Sequence, residues 1–189
     1  DVAEAHMVAS LKLQAAQFDV VQHYVHIRQK QCEWPLYQAV GAVTPNQMLV
    51  GTSPLAMLSV SDDPALQLMA AQRFVHERVP KPPATPLYAS GPKREGKIRI
   101  GYLSGDLCLH AVGLLTAELF ELHDRDRFEL HAFCWSREDG TPQRARIVKA
   151  FDDRLTRIGH LDDTTAARLI AGMGIDVLVD LQGLTNGAR

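Results

Sequence analysis

The stretch Ile98-Arg-Ile-Gly-Tyr-Leu-Ser-Gly-Asp-Leu-Cys-Leu-His-Ala-Val-Gly-Leu-Leu115 constrains the fold of this chain more than any other. Ile98, Ile100, Tyr102 and Leu103 form a short apolar run, bounded by Gly96 before it and by Ser104-Gly105-Asp106 after it, which predicts a buried strand over 98–103. Past the turn, Val112, Leu115, Leu119 and Leu122 recur at intervals of three and four, one face of a helix over 112–123. A strand, a tight turn and a helix open a βαβ unit. In open α/β sheets, ligands occupy the crevice beyond the carboxyl ends of such strands. Asp106 and His110 fall in that turn, and chemistry is expected there.

The alternation continues to the end. Phe128, Leu130, Ala132 and Cys134 interleave with charged or polar neighbours, predicting a second strand up to Trp135. A helix is expected over 142–152 and a short strand near 155–158. Asp162-Asp163 caps a further helix that Gly172 and Gly174 close. Ile175-Asp-Val-Leu-Val-Asp-Leu181 is rich in Val and Leu, as a central parallel strand should be. Gln182-Gly-Leu-Thr-Asn-Gly187 then forms a second polar, glycine-rich turn at a strand's carboxyl end. A sheet that stops on a central-type strand reads as unfinished, the front half of a domain.

Upstream the pattern is all α. Residues 1–31 step by threes and fours with no Gly or Pro, and a break near Phe18-Asp19 would give two helices. A second helical block runs from Leu36 to Arg78. Thr44-Pro45 marks one capped start, and Asp63-Pro64 another, with Asp63 as N-cap and Pro64 at the first helical position. Ala65, Leu68, Met69 and Val75 share a face there. No 34-residue repeat is evident, although one degenerate helical pair at the end of a repeat array fits. Pro80-Lys-Pro-Pro-Ala-Thr-Pro86, running on to Gly96, is a semi-rigid linker. The expected organisation is therefore a helical region at 1–79, a linker at 80–96 and an α/β region at 97–189.

Composition excludes several classes. The net charge of −2 gives no basic footprint for nucleic acid. No apolar run is long enough to span a membrane, and the start lacks both a basic n-region and an initiator Met, as if the chain began partway through a longer protein. Cys32, Cys108 and Cys134 fit neither a disulfide frame nor a zinc site, and reduced, buried thiols in the cytoplasm are expected. His23 and His26 share a helix face without a third ligand nearby. His123, His131 and His160 are expected at the surface, and Glu138-Asp-Gly-Thr141 as a turn.

Three segments together, 100–113, Glu138–Thr141 and Ile175–Arg189, resemble the SPINDLY-like, O-linked N-acetylglucosamine transferase family of protein glycosyltransferases, in its bacterial branch. The first is similar to the family's IGY-S-DF--HPVG pattern, the last to ILVDL-G-T-G-R. Gly51-Thr-Ser-Pro-Leu55 and Ser61-Asp-Asp-Pro64 resemble the tetratricopeptide-type helices that precede the catalytic region. Ala111 stands where the family usually has Pro, and Leu107 where Phe is common. The helix over Ala166–Ala171 lacks the acidic residue and histidine that some animal members carry.

The resemblance implies a GT-B fold of two Rossmann-like lobes. This chain would hold the helical lead-in and the front of the N-terminal lobe, with a C-terminal lobe as the missing partner and the fragment alone inactive. It implies an inverting protein O-glycosyltransferase that moves a sugar, N-acetylglucosamine by preference, from a nucleotide-sugar such as UDP-GlcNAc to Ser or Thr of a protein or peptide acceptor. His110 matches the family's active-site histidine. Ser104, Asp106, Gly183, Thr185 and Gly187 are the expected substrate-binding residues, although Asp106 could equally cap the helix and Thr185 and Gly187 could simply build their turn.

The residues alone fit this chemistry. Glycosyl transfer to a hydroxyl needs a base for the hydroxyl proton and stabilisation of the leaving phosphate. A helix N-terminus disfavours a charged imidazole, and glycine-rich turns present N–H groups to phosphate or sugar hydroxyls. No Gly-x-Gly-x-x-Gly or P-loop supports a dinucleotide or ATP. The polar loops are read as lacking an Asp-x-Asp motif, so no cofactor and no metal are expected. The competing readings are a non-catalytic scaffold, in which the helices bind a protein and the α/β half is structural, and a free-standing flavodoxin-like binding domain. Limited proteolysis should cut first between Pro80 and Gly96 and leave two resistant fragments; a first cut elsewhere would refute the boundary.

Overall fold

The computed structural model describes residues 2–87, 95–185 and 187–189, so 88–94 of the expected linker and Asn186 lie outside the described residues. The chain divides into two compact units, Asp1–Pro82 and Pro83–Arg189.

The first unit holds five helices: α1 Val2–Leu13, α2 Phe18–Lys30, α3 Pro45–Gly51, α4 Pro54–Val60 and α5 Pro64–Arg78. The break between α1 and α2 falls where Gln17 turns its side-chain amide back onto the carbonyls of Ser10 and Gln14. The starts of α3 and α5 are capped as the sequence indicates, and Ser53-Pro54, expected in a loop, opens α4. Thr44 and Gln47 form a capping box, Ser53 accepts from the Ala56 N–H, and Asp63 accepts from the Ala65 N–H at 2.8 Å. Leu11, Tyr24, Val25, Leu36, Val43 and Met48 make the core. A single antiparallel bridge, Val40 to Val43, is the extended element among its described residues. Leu68 and Val75 share a face of α5 but stay exposed, and Ala70 is the buried position.

The second unit alternates: β1 Ile98–Ser104, α6 Ala111–Leu122, β2 Phe128–Cys134, α7 Pro142–Ala150, β3 Leu155–Arg157, α8 Asp163–Gly172 and β4 Val177–Asp180. All strand pairs are parallel, in the order β3-β2-β1-β4. The chain thus walks outward from β1 to β3 and then crosses back to the far side of β1. The α6 and α7 residues Ala117, Phe120, Ile147 and Ala150 pack with Tyr102, Leu130 and Ala132 on one face. Ala166 and Ile170 of α8 pack with Phe133 on the other. A sheet covered on both faces, with its order reversing between β1 and β4, places a crevice beyond the carboxyl ends of those two strands.

Several expectations are corrected. Among the described residues β4, expected as a central strand, lies at the edge of the sheet, and Cys32 is exposed whereas Cys108 and Cys134 are buried. The leucine stripe of α6 is not its core face. Leu115 and Leu122 are 81% and 75% exposed, and the buried residues are Gly113, Ala117 and Phe120. Small side chains bring the helix close to the sheet, and one Phe fills the remaining depth. A Cβ on Gly113 would lie 2.2 Å from the Cys108 carbonyl oxygen and 3.2 Å from Ile147, so only glycine fits. His131 is buried, not at the surface. It faces inward from β2 with Nε2 2.9 Å from Glu129, itself paired with Arg99. An alternating strand carries its histidine to whichever face register dictates.

Gly113→Ala must move backbone, because the nearest atom is a carbonyl oxygen. We expect a loss of about 1–3 kcal/mol of stability, the usual cost of overpacking, measured by denaturant unfolding. An unchanged midpoint would show that the turn yields freely.

Candidate functional site

The turn 105–110 between β1 and α6 is held from several sides. From the loop after β2, Ser136 Oγ accepts the Leu107 N–H at 2.7 Å and Asp139 accepts the Leu109 N–H at 2.7 Å. From α7, Arg144 donates to the Leu107 carbonyl at 2.8 Å. From the turn after β4, Gln182 Oε1 accepts the Gly105 N–H at 2.9 Å, and its Nε2 donates to Asp106 Oδ2 at 3.0 Å. Within the turn, Ser104 Oγ accepts the Asp106 N–H at 3.0 Å. The backbone donors of a tight turn cannot go unmet in a packed interior, and here side chains meet them.

Several anchors have their own support. Arg144 is only 3% exposed and also donates to both oxygens of Glu138 and to Cys134 Sγ; Arg157 pairs with Glu138 as well. Asp139 further accepts from the Thr141 N–H and hydroxyl at 3.0 and 2.8 Å. The Leu109 and Thr141 backbone N–H groups lead in pulling its pKa down to about 2. Thr141 in turn caps α7. Trp135 packs against Gly105, where a Cβ would come within 2.4 Å of Nε1, and donates to the Gly187 carbonyl at 3.2 Å.

His110 is the N-cap residue of α6. Its Nδ1 accepts the Val112 N–H at 3.3 Å, and Asp106 Oδ2 stands 3.7 Å from the same nitrogen. Asp106 is therefore not the cap, and its carboxylate faces the imidazole and Gln182 instead. A backbone N–H can only donate, so this arrangement puts the neutral ring's proton on Nε2. Should the proton move to Nδ1, Asp106 would be its acceptor and Nε2 would carry the lone pair. The His110 side chain is 47% exposed and Asp106 22%.

The expected site residues fall in two groups across the β1–β4 crevice. Ser104, Asp106 and His110 stand on one side, Gly183, Thr185 and Gly187 on the other. Ser104 is fully buried, with its hydroxyl turned inward. Gly183 and Gly187 have positive φ, 55° and 83°, and Asp180 Oδ1 accepts the Gly183 N–H at 3.2 Å. Thr185 is exposed in the same turn, where its N–H donates to the Gln182 carbonyl at 3.1 Å. Sequence reasoning missed Gln182, Ser136, Asp139 and Arg144, the anchors of the turn; the one available signal was polar residues placed immediately after strands. It also passed over Asp124-Arg125-Asp126, an Asp-x-Asp triplet. That triplet lies at the opposite end of the sheet, where Asp124 accepts the N–H groups of Asp126 and Arg127. Among the described residues, no group of three or more His, Cys, Asp or Glu could hold a metal ion.

The Asp139 carboxylate, depressed in the folded protein, contributes stability that is present above its ordinary ~3.9 and lost as pH falls towards 2. Thermal unfolding from pH 5 to 2 should therefore show Asp139→Asn less stable at pH 5 and less sensitive to acid than the parent. Equal slopes would remove Asp139 from the clamp.

Comparisons with known proteins agree with this architecture. The sequence profile of glycosyl transferase family 41 matches residues 78–189. A probable UDP-N-acetylglucosamine–peptide N-acetylglucosaminyltransferase, SEC, of Arabidopsis thaliana is 27% identical over 182 residues, covering 87% of this chain and 18% of the relative. The UDP-N-acetylglucosamine–peptide N-acetylglucosaminyltransferase of Caenorhabditis elegans is 32% identical over 93 residues, 49% of this chain and 8% of the relative. The chain thus spans less than a fifth of either. A solved variant of the Thermobaculum terrenum O-GlcNAc transferase shares the fold with a TM-score of 0.59 and 21% identity, covering 95% of this chain and 35% of that one. With more than half of its length matched by the profile, the chain belongs to glycosyl transferase family 41.

Proposed function

We propose that this chain forms the acceptor-side part of an inverting protein O-glycosyltransferase, which transfers N-acetylglucosamine from UDP-GlcNAc to Ser or Thr of a protein or peptide in the cytoplasm. The names of the Arabidopsis and nematode relatives support the donor and the peptide acceptor. The observation that carries the reading is His110, half-exposed at the start of α6 and at the rim of the β1–β4 crevice.

In this reading the acceptor hydroxyl oxygen attacks the anomeric carbon as the bond from that carbon to the phosphate oxygen breaks. The nucleoside diphosphate leaves with the bonding pair, and His110 takes the hydroxyl proton. A single displacement of this kind inverts the anomeric configuration. Thr185, exposed in the turn after β4 between Gly183 and Gly187, would contact sugar or acceptor. Transfer would be independent of metal, with no cofactor. The carboxylates near the crevice are already committed: Asp106 to Gln182, Asp139 to Leu109 and Thr141, and Asp180 to Gln182 and Gly183.

In the complete enzyme, His110→Ala should lower kcat by about 10²- to 10⁴-fold, the usual worth of general acid–base catalysis. The acceptor KM should change little, since the lost interaction belongs to the transition state. His110→Asn keeps a hydrogen-bonding group but cannot act as a base, and should be equally impaired. An Asn variant that retains most of kcat, or an Ala variant whose loss lies in donor KM, would reassign His110 to binding.

A further inference from the structure

Gln182 is the residue that joins the two sides of the crevice. It is 6% exposed, and its side chain is locked in one orientation. The Gly105 N–H fixes Oε1 by donating to it, so Nε2 must face Asp106 and donates to Oδ2 at 3.0 Å. The same Oδ2 stands 3.7 Å from His110 Nδ1. That separation is longer than a hydrogen bond by under 1 Å, a gap of the size catalytic hydrogen bonds show before substrate arrives. Asp106 and the Val112 N–H thus compete for one nitrogen, and each selects a different tautomer.

We propose that Gln182 is a positioning residue for His110, acting through Asp106: by holding Oδ2 beside Nδ1, it favours the tautomer whose Nε2 can take the acceptor proton. The inference rests on reading His110 as the base. The proton balance is simple. Nδ1–H donates to Asp106 throughout, Nε2 gains the hydroxyl proton, and the ring leaves the step as a cation beside the Asp106 carboxylate. Gln182 neither gains nor loses a proton. Its position just after β4, on the far side of the reversal in strand order from β1, makes the orientation of His110 depend on the seating of the β4 turn.

The test uses Gln182→Glu in the complete enzyme. This variant keeps an oxygen acceptor for the Gly105 N–H but replaces the donor facing Asp106 with a second carboxylate oxygen. We expect kcat to fall roughly 10- to 100-fold, as for loss of a group that orients a catalytic one, with both KM values within about twofold. The acidic limb of kcat/KM should move to higher pH, because added negative charge beside the imidazole favours its protonated form. In an Asp106→Asn background the same substitution should cost less than about twofold, because the residue it acts through has been changed. Parental kcat and pH profile in Gln182→Glu overturn the proposal, and so does an equal loss in both backgrounds. Gln182→Leu, which removes both hydrogen bonds, should lose kcat without gaining the pH shift; a fall in Tm with parental kcat per folded molecule would make Gln182 merely structural and also overturn it. The His110→Ala control keeps the two readings apart. Unchanged kcat there defeats the base assignment itself, whereas a large loss there beside parental behaviour of Gln182→Glu defeats only the role of Gln182.

Discussion

A guanidinium taken out of water must find a partner for nearly every N–H, and the α/β unit is built around one that does. Arg144 is almost fully buried and satisfies itself on the Leu107 carbonyl, the Cys134 sulfur and both oxygens of Glu138. Those partners belong to the turn after β1, the end of β2 and the loop beyond it. Removing Glu138 would leave the buried guanidinium without its counter-charge, which is far more destabilising than the net worth of the pair. The arginine therefore fixes where the turn ends relative to α7, and the helix that follows the turn starts at His110 because the turn is fixed.

The same logic repeats on each side of that turn. Its N–H groups at Gly105, Asp106, Leu107 and Leu109 go to Gln182, Ser104, Ser136 and Asp139, four side chains and no backbone carbonyl. A loop satisfied in this way holds its shape without secondary structure of its own. It can then present His110 and Asp106 at a set distance, which positioning for proton transfer requires. Rigid anchoring here makes one fixed wall of the crevice, and the turn opposite ties its own N–H groups at Gln182 and Gly183 to Asp180 and at Thr185 to the Gln182 carbonyl.

Much of this was legible from the residues, and the failures have physical causes. Element type follows from hydrophobic alternation, and the helix starts at Thr44, Asp63 and Asp162 follow from their capping residues, whereas the caps at Ser53 and Thr141 and the strand order appear only in the structure. The face of α6 did not follow. Periodicity identifies a stripe of large apolar residues, but a helix that approaches a sheet closely buries its small side, and Gly113 and Ala117 leave no hydrophobic signal. The buried state of His131 was equally silent, because a polar residue's environment depends on the partner strand. At the candidate site, the sequence pointed to His110 and Asp106 but not to the side chains that hold their turn. Gln182 reads as one polar residue in a glycine-rich turn until its two hydrogen bonds across the crevice are seen.

The capping N–H of Val112 and the Asp106 carboxylate pull His110 in opposite directions, and this bears on how such a site could work. As N-cap residue it spends Nδ1 on the Val112 N–H, which stabilises α6 and places the proton on Nε2, the wrong nitrogen for a base that reaches outward. Transfer of the proton to Nδ1 breaks that cap. The cost is softened because the Leu114 N–H already donates to the His110 carbonyl at 2.9 Å, so the helix keeps its first intrahelical bond. A residue that caps a helix in one tautomer and accepts a proton in the other stands between two partners for the same nitrogen, a backbone N–H at 3.3 Å and a carboxylate at 3.7 Å. Small displacements of Asp106 decide between them. A bound acceptor hydroxyl, donating to Nε2, would tip the balance towards the carboxylate by supplying the proton that only the second tautomer can receive.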